Sequence, residues 1–184
     1  MLSGPNMSGS LIAVEFTGEH LPLVRDFACG DESYERELAD WIREESIAAL
    51  NRGSKIWLYV TPEKAIVGYG SLAVTRWNYP NPSSKRIALA LIPAVAIQKQ
   101  FWGKPDGPRE GRYSSQILDH LITEAARLPI DVPVLGLFVH PQNQRAIKVY
   151  ERAGFQQFTQ TYTDKTTGIV YRSMIRPLVL SKPT

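Results

Sequence analysis

The feature that most constrains this chain is an apolar run, Val132-Pro-Val-Leu-Gly-Leu-Phe-Val139, followed at once by a segment with helix-start and helix-stop signals. The run is short and rich in β-branched and aromatic residues, so it reads as a buried strand. Pro141 stops the strand, and Gln142 or Asn143 offers a polar side chain to cap the helix that follows. Gly154 falls where a left-handed residue ends a helix. Asn143, Ile147 and Tyr150 are spaced i, i+4, i+7 and share one helix face. A polar side chain at the start of the helix and a phenol near its end therefore point the same way. By residue type alone, Tyr150 is simply the half-buried residue of an amphipathic helix.

Strand-like and helix-like segments alternate ahead of this unit. Leu11 to Thr17 reads as a first strand, and His20 to Ala28 as a helical turn or two ending near Gly30. Ser33 or Asp31 then opens a longer helix to about Asn51, with Leu38, Trp41, Ile42, Ala48 and Ala49 on its buried stripe. Strands at Lys55 to Thr61 and Ala65 to Trp77 flank the turn Pro62-Glu63-Lys64. Glycine inside the second, at Gly68 and Gly70, marks close backbone approach or a bulge. Arg86 to Gln98 is the longest strand-like run, and Pro93 within it has no N–H to give a neighbour, which predicts a bulge or a free edge there. A helix over Ser115 to Leu128 follows a Gly/Pro-rich loop, and Phe155 to Thr163 with Gly168 to Leu180 reads as a closing hairpin. Strand, helix, strand in succession predicts a parallel pair joined by a right-handed crossover.

The pattern Asn143-x-x-Ala146-x-x-x-Tyr150-Glu151-x-x-Gly154-Phe155 resembles the C-terminal motif of the GNAT family, the acyl-CoA-dependent N-acetyltransferases. The order βααβββαβαββ and Val67-Gly68-Tyr69 on the central strand are similar as well. The resemblance implies an α+β fold: a central mixed sheet of about six or seven strands with a splayed parallel pair, flanked by about four helices. It implies acetyl-CoA as co-substrate, entering the gap in the sheet, with no metal. Asn143 is then expected to contact the cofactor arm or nearby backbone, and Tyr150 to lie by the thioester sulfur and act as the general acid for its departure. Backbone groups of Ala94, Val95 and Ile97 are expected to pair with the cofactor's amides.

The loop after the long strand departs from the family's pattern. Relatives carry Gln/Arg-x-x-Gly-x-Gly/Ala, whose N–H groups turn onto a pyrophosphate at a helix N-terminus. This chain reads Gln98-Lys-Gln-Phe-Trp-Gly-Lys-Pro-Asp-Gly-Pro-Arg-Glu-Gly-Arg-Tyr-Ser-Ser115, most simply an insertion of several residues. Gly103, Lys104, Gly111, Arg112, Ser114 and Ser115 are the phosphate-binding candidates, with either serine able to cap the helix.

Composition bounds the rest. With 184 residues, 43% hydrophobic and 21% charged, one globular domain over residues 11–180 behind a flexible tail at 1–10 is expected. No apolar run approaches the roughly 18 residues a membrane span needs. A lone Cys29 cannot form an internal disulfide and suits a reducing cytoplasm. The three histidines are scattered and no cluster has metal-ligand spacing. A net charge of +3 mildly favours an anionic partner.

The expected function is acetyl transfer from acetyl-CoA to a primary amine by direct attack in a ternary complex. The acceptor is a small molecule or a peptide amine, and self-association as a homodimer is left open. The general base is open too: the long strand has no acid, His140 is one candidate, and a water chain or an amine arriving neutral is another. Phe27-Ala-Cys29-Gly30 before a helix resembles the toxin-type members that acetylate aminoacyl-tRNA. The altered loop and modest charge count against a nucleic-acid acceptor. A non-enzymatic platform for a ligand or partner is the rival from another class, because fold does not guarantee activity.

Overall fold

The computed structural model describes residues 10–78, 86–102, 112–130 and 132–178. Residues 1–9, 79–85 and 103–111 lie outside them. The first strand, β1 (Ile12–Glu15), leads through a 3-10 turn at Gly18–Val24 to α1 (Ser33–Asp40). The helix continues through a widened π turn (Trp41–Glu45) into α2 (Ser46–Asn51). Then come β2 (Lys55–Val60) and β3 (Ile66–Asn78), β4 (Arg86–Ile92), β5 (Val95–Ile97) and α3 (Tyr113–Ala126). The chain closes with β6 (Val134–Val139), α4 (Gln144–Arg152), β7 (Gln156–Thr163) and β8 (Val170–Pro177).

The strands form one mixed sheet in the order β1-β2-β3-β4-β6-β8-β7, with β5 on β3. All pairings are antiparallel except β4 with β6, where Ala90, Leu91 and Ile92 run parallel to Leu135, Gly136 and Leu137. That is the parallel pair the strand–helix–strand order demands. The single long strand expected over 86–98 is two strands, which raises the count to eight.

Alternation along β2 sorts its side chains between two cores. Ile56 and Leu58 join Phe16, Phe27, Ile42 and Tyr69 beneath α1 and α2. Trp57 and Tyr59 face the other way, onto Leu72, Ile117, Leu121, Leu135 and Phe155 beneath α3 and α4. Each fully buried side chain of this size contributes ~1.5–3 kcal/mol. Gly68 is required by contact rather than by dihedral: a Cβ there would lie 2.3 Å from the Ala96 carbonyl oxygen. The glycine lets β5 press against β3.

Candidate active site

The site begins with one extra residue. Ala73 of β3 pairs with Leu91, whereas Gly70 pairs with Val95. Ser71 donates its N–H to the Ala94 carbonyl at 2.9 Å, so Ile92 and Pro93 together stand opposite Leu72. This is a β-bulge at the residue that cannot donate to a ladder. Up to Ile92 the strand lies beside β6; beyond the bulge, β5 pairs with β3 and no pairing joins it to β6 among the described residues. The parallel pair is forked.

Alternation then decides which backbone groups face the gap. The bonded positions opposite β3 include Ala94, whose C=O accepts from Ser71 N–H, and Gln98, whose N–H donates to Val67. Val95 and Ile97 are out of step with these and turn their backbone groups away from β3. The Ile97 carbonyl accepts the Trp102 indole N–H at 3.1 Å. Ala94 does not stand with them. Its N–H donates to the Ser71 hydroxyl at 2.9 Å and its C=O accepts from that hydroxyl at 2.8 Å, so neither group is available to an incoming amide.

A cavity of about 420 Å³ opens in the gap, bounded by Val95, Ala96 and Ile97, the start of α3 and one face of α4. Of the residues singled out from the sequence, Val95, Ile97, Arg112, Ser114, Asn143 and Tyr150 line it. Ser115 does not line it, and its N–H donates to the Arg112 carbonyl at 3.1 Å. Neither serine caps α3, which begins at Tyr113 with Arg112 as its N-cap residue. Gly103, Lys104 and Gly111 lie outside the described residues. Arg145 and Arg152 also line the cavity, and Arg145 sits over the Trp102 ring with its Cζ 3.5 Å from the centroid. Three arginines against one carboxylate, Glu35, give this cavity a positive lining among the described residues. Cys29 lines it as an inert group: its thiol donates to the Glu35 carbonyl, and burial pushes its pKa up to about 12.

The helix that presents Tyr150 is built as its signals predict. Asn143 caps α4, its Oδ1 accepting the Ala146 N–H at 3.0 Å. Gly154 ends it at φ +85°, and the Phe155 N–H closes back on the Tyr150 carbonyl at 3.0 Å. Tyr150 is half-buried, packed edge-on to Phe155 with centroids 5.9 Å apart. Burial pushes its phenol pKa above the ordinary value, so the group keeps its proton.

Tyr150 also lines a second cavity of about 360 Å³, on the other side of the fork. Val95, Asn143 and Leu38 are likewise shared by the two. Here the walls are Tyr34, Trp41, Phe138, His140, Tyr162 and Tyr171, with Glu37 the acidic side chain among them. His140 stacks on Tyr34 with centroids 4.8 Å apart, and its Nδ1 accepts the Gln142 N–H at 3.2 Å. That bond occupies the lone pair a general base would use and leaves Nε2 as the N–H of the neutral ring. Among the described residues no group of three or more His, Cys, Asp or Glu could hold a metal ion. No described helix is long and apolar enough to cross a membrane.

The forked sheet thus carries one cavity with a basic lining and one with an aromatic, acidic lining, and Tyr150 lines both. The sequence profile of the Acetyltransferase (GNAT) family matches residues 21–155. The chain belongs to that family of acetyltransferases. No curated protein matches it. Among solved structures, AtaTR bound with AcCoA superposes with a TM-score of 0.65 at 16% identity, covering 92% of this chain and 94% of that one. A tyrosine-to-phenylalanine mutant of KacT gives 0.64 at 14% identity, covering 92% and 95%. Spermidine/spermine N-acetyltransferase SpeG from Vibrio cholerae, in complex with manganese ions, gives 0.60 at 13% identity, covering 94% and 95%. At these identities the likeness is one of fold.

Proposed function

We propose that this protein is an N-acyltransferase that moves an acetyl group from acetyl-CoA to a primary amine by direct attack in a ternary complex. The observation that carries the reading is the position of Tyr150, shared by two cavities of opposite character that meet at the strand fork. The residues of the first cavity suit an anionic co-substrate with amides along its arm. Arg112, Arg145 and Arg152 face its phosphates, and the outward Val95 carbonyl and Ile97 N–H pair with the arm. Ser114 and Asn143 complete that lining. Residues Gly103, Lys104 and Gly111 remain candidates for the phosphate end.

The amine enters from the second cavity and attacks the thioester carbonyl. The C–N bond forms as the C–S bond breaks, and the sulfur leaves with the electron pair. Val95 N–H, on the open strand edge, polarises the carbonyl. The Tyr150 hydroxyl donates its proton to the departing sulfur. The burial that raises the phenol pKa also disfavours a bare thiolate in the same place, so the two groups stay matched. With the His140 Nδ1 occupied, an amine that arrives as ammonium gives one proton to water before it attacks, and the proton shed as the C–N bond forms returns through water to the phenol.

A second reading, in which the acceptor is the amino group of an aminoacyl-tRNA, is supported by one likeness. AtaT complexed with acetyl-methionyl-tRNAfMet superposes with a TM-score of 0.59 at 17% identity, covering 88% of this chain and 93% of that one. Calorimetric titration with acetyl-CoA, followed by thiol release with a panel of primary amines and a charged tRNA, tests both. Micromolar acetyl-CoA binding and amine-dependent thiol release are expected. Absence of acetyl-CoA binding overturns the proposal, and release with the charged tRNA alone selects the second reading.

A further inference from the structure

The second cavity has a lining that selects its occupant. Tyr34 and Trp41 come from the α1 side, Phe138 from β6, and Tyr162 and Tyr171 from the closing hairpin, so ring faces supply a large part of the walls. Glu37 is the one carboxylate side chain among the described lining residues, and no lysine or arginine accompanies it. Its Oε2 accepts the Tyr171 hydroxyl at 2.8 Å, and the carboxylate makes no ion pair among the described residues. Its other oxygen and remaining lone pairs are open to a donor. An ammonium group satisfies that carboxylate with a charge-assisted hydrogen bond and gains further from ring faces, about 0.5–2 kcal/mol per cation–π contact. A carboxylate on the same small molecule would meet Glu37 with like charge and find no cation to hold it. At about 360 Å³ the cavity sits at the small end of ligand pockets.

We propose that the acceptor is a primary monoamine with an aromatic or apolar body and no free carboxylate beside the amine, its cationic head held by Glu37. The proposal rests on the N-acyltransferase reading and names the class of its second substrate.

The test reads binding without turnover. 2-Phenylethylamine, phenylalanine and 3-phenylpropionate are each titrated calorimetrically into the full chain saturated with CoA, the unreactive product form. The amine is expected to bind at least about tenfold more tightly than the amino acid, with no measurable binding of the acid. Glu37→Gln is expected to weaken the amine about tenfold while leaving CoA affinity unchanged, which also certifies the fold of a variant altered at an exposed position. Equal affinity for amine and amino acid, absent amine binding, or an indifferent Glu37→Gln overturns the proposal. A chain that binds the amine in this pattern yet never releases thiol from acetyl-CoA sinks the transferase reading instead. One that acetylates amines without the preference sinks only the substrate class.

Discussion

The Ser71 hydroxyl bridges both backbone groups of Ala94, donating to its carbonyl at 2.8 Å and accepting its N–H at 2.9 Å, with Ser71 fully buried. The bulge at Pro93 breaks the regular ladder, and this one side chain restores what the break removes. Ser71→Ala leaves a buried N–H without a partner, a loss of about 1–3 kcal/mol. Urea unfolding is expected to show that loss. A variant within about 0.3 kcal/mol of the parent would mean that Ala94 finds another acceptor.

Tyr150→Phe keeps the ring packed against Phe155 and removes only the proton donor. Turnover with the best amine is expected to fall about 10²–10⁴-fold, with acetyl-CoA affinity changed by less than about twofold. Paired kinetics and calorimetry decide it. Unchanged turnover takes Tyr150 out of the chemistry.

Arg145 is stacked on Trp102 at the wall of the first cavity. Arg145→Ala is expected to weaken acetyl-CoA binding about 10–100-fold, as for a lost hydrogen bond to a charged group, while the amine affinity of the second cavity stays put. The loss should shrink with added salt, because Arg145 is exposed to solvent. Calorimetry at two ionic strengths reads both effects.

His120 provides a pH signature remote from the chemistry. Burial lowers its pKa below the usual 6.5, Glu124 partly opposes this and Arg127 adds to it. Its Nδ1 is bonded to the Tyr59 hydroxyl at 2.9 Å, and the ring lies edge-on to Trp57 and Tyr59. Below about pH 6.5 the unfolded chain takes up this proton before the folded one does, so folding stability declines as pH falls. Denaturation midpoints between about pH 7 and 5 are expected to fall, and His120→Gln, which keeps an acceptor for Tyr59, is expected to flatten part of that fall. An identical slope in the variant would assign the decline to other groups.

What can be read along the chain is whatever local rules decide. Pro141, Asn143 and Gly154 set the start and stop of α4 through the backbone itself, and Pro93 sets the bulge by lacking a donor. Capping chemistry alone places the start of α3 at Ser115. The helix instead begins at Tyr113, whose ring is buried and packs edge-on to Phe101, a tertiary contact with no local sign. Arg145 and Arg152, seven apart, share a face with each other, but it lies about 200° round the helix from Asn143 and Tyr150, so spacing does not group them with the motif. The second cavity has no local sign either. Glu37 and Tyr171 meet across 134 positions, and no spacing rule links a residue on α1 to one on the last strand.

The fork in the sheet amounts to a single surplus amino acid. With Ile92 and Pro93 both opposite Leu72, removal of Pro93 would return every later partner on β3 to an uninterrupted ladder. β4 would then run straight into β5 and on alongside β6. The loss of one codon would thus close the gap beside Val95.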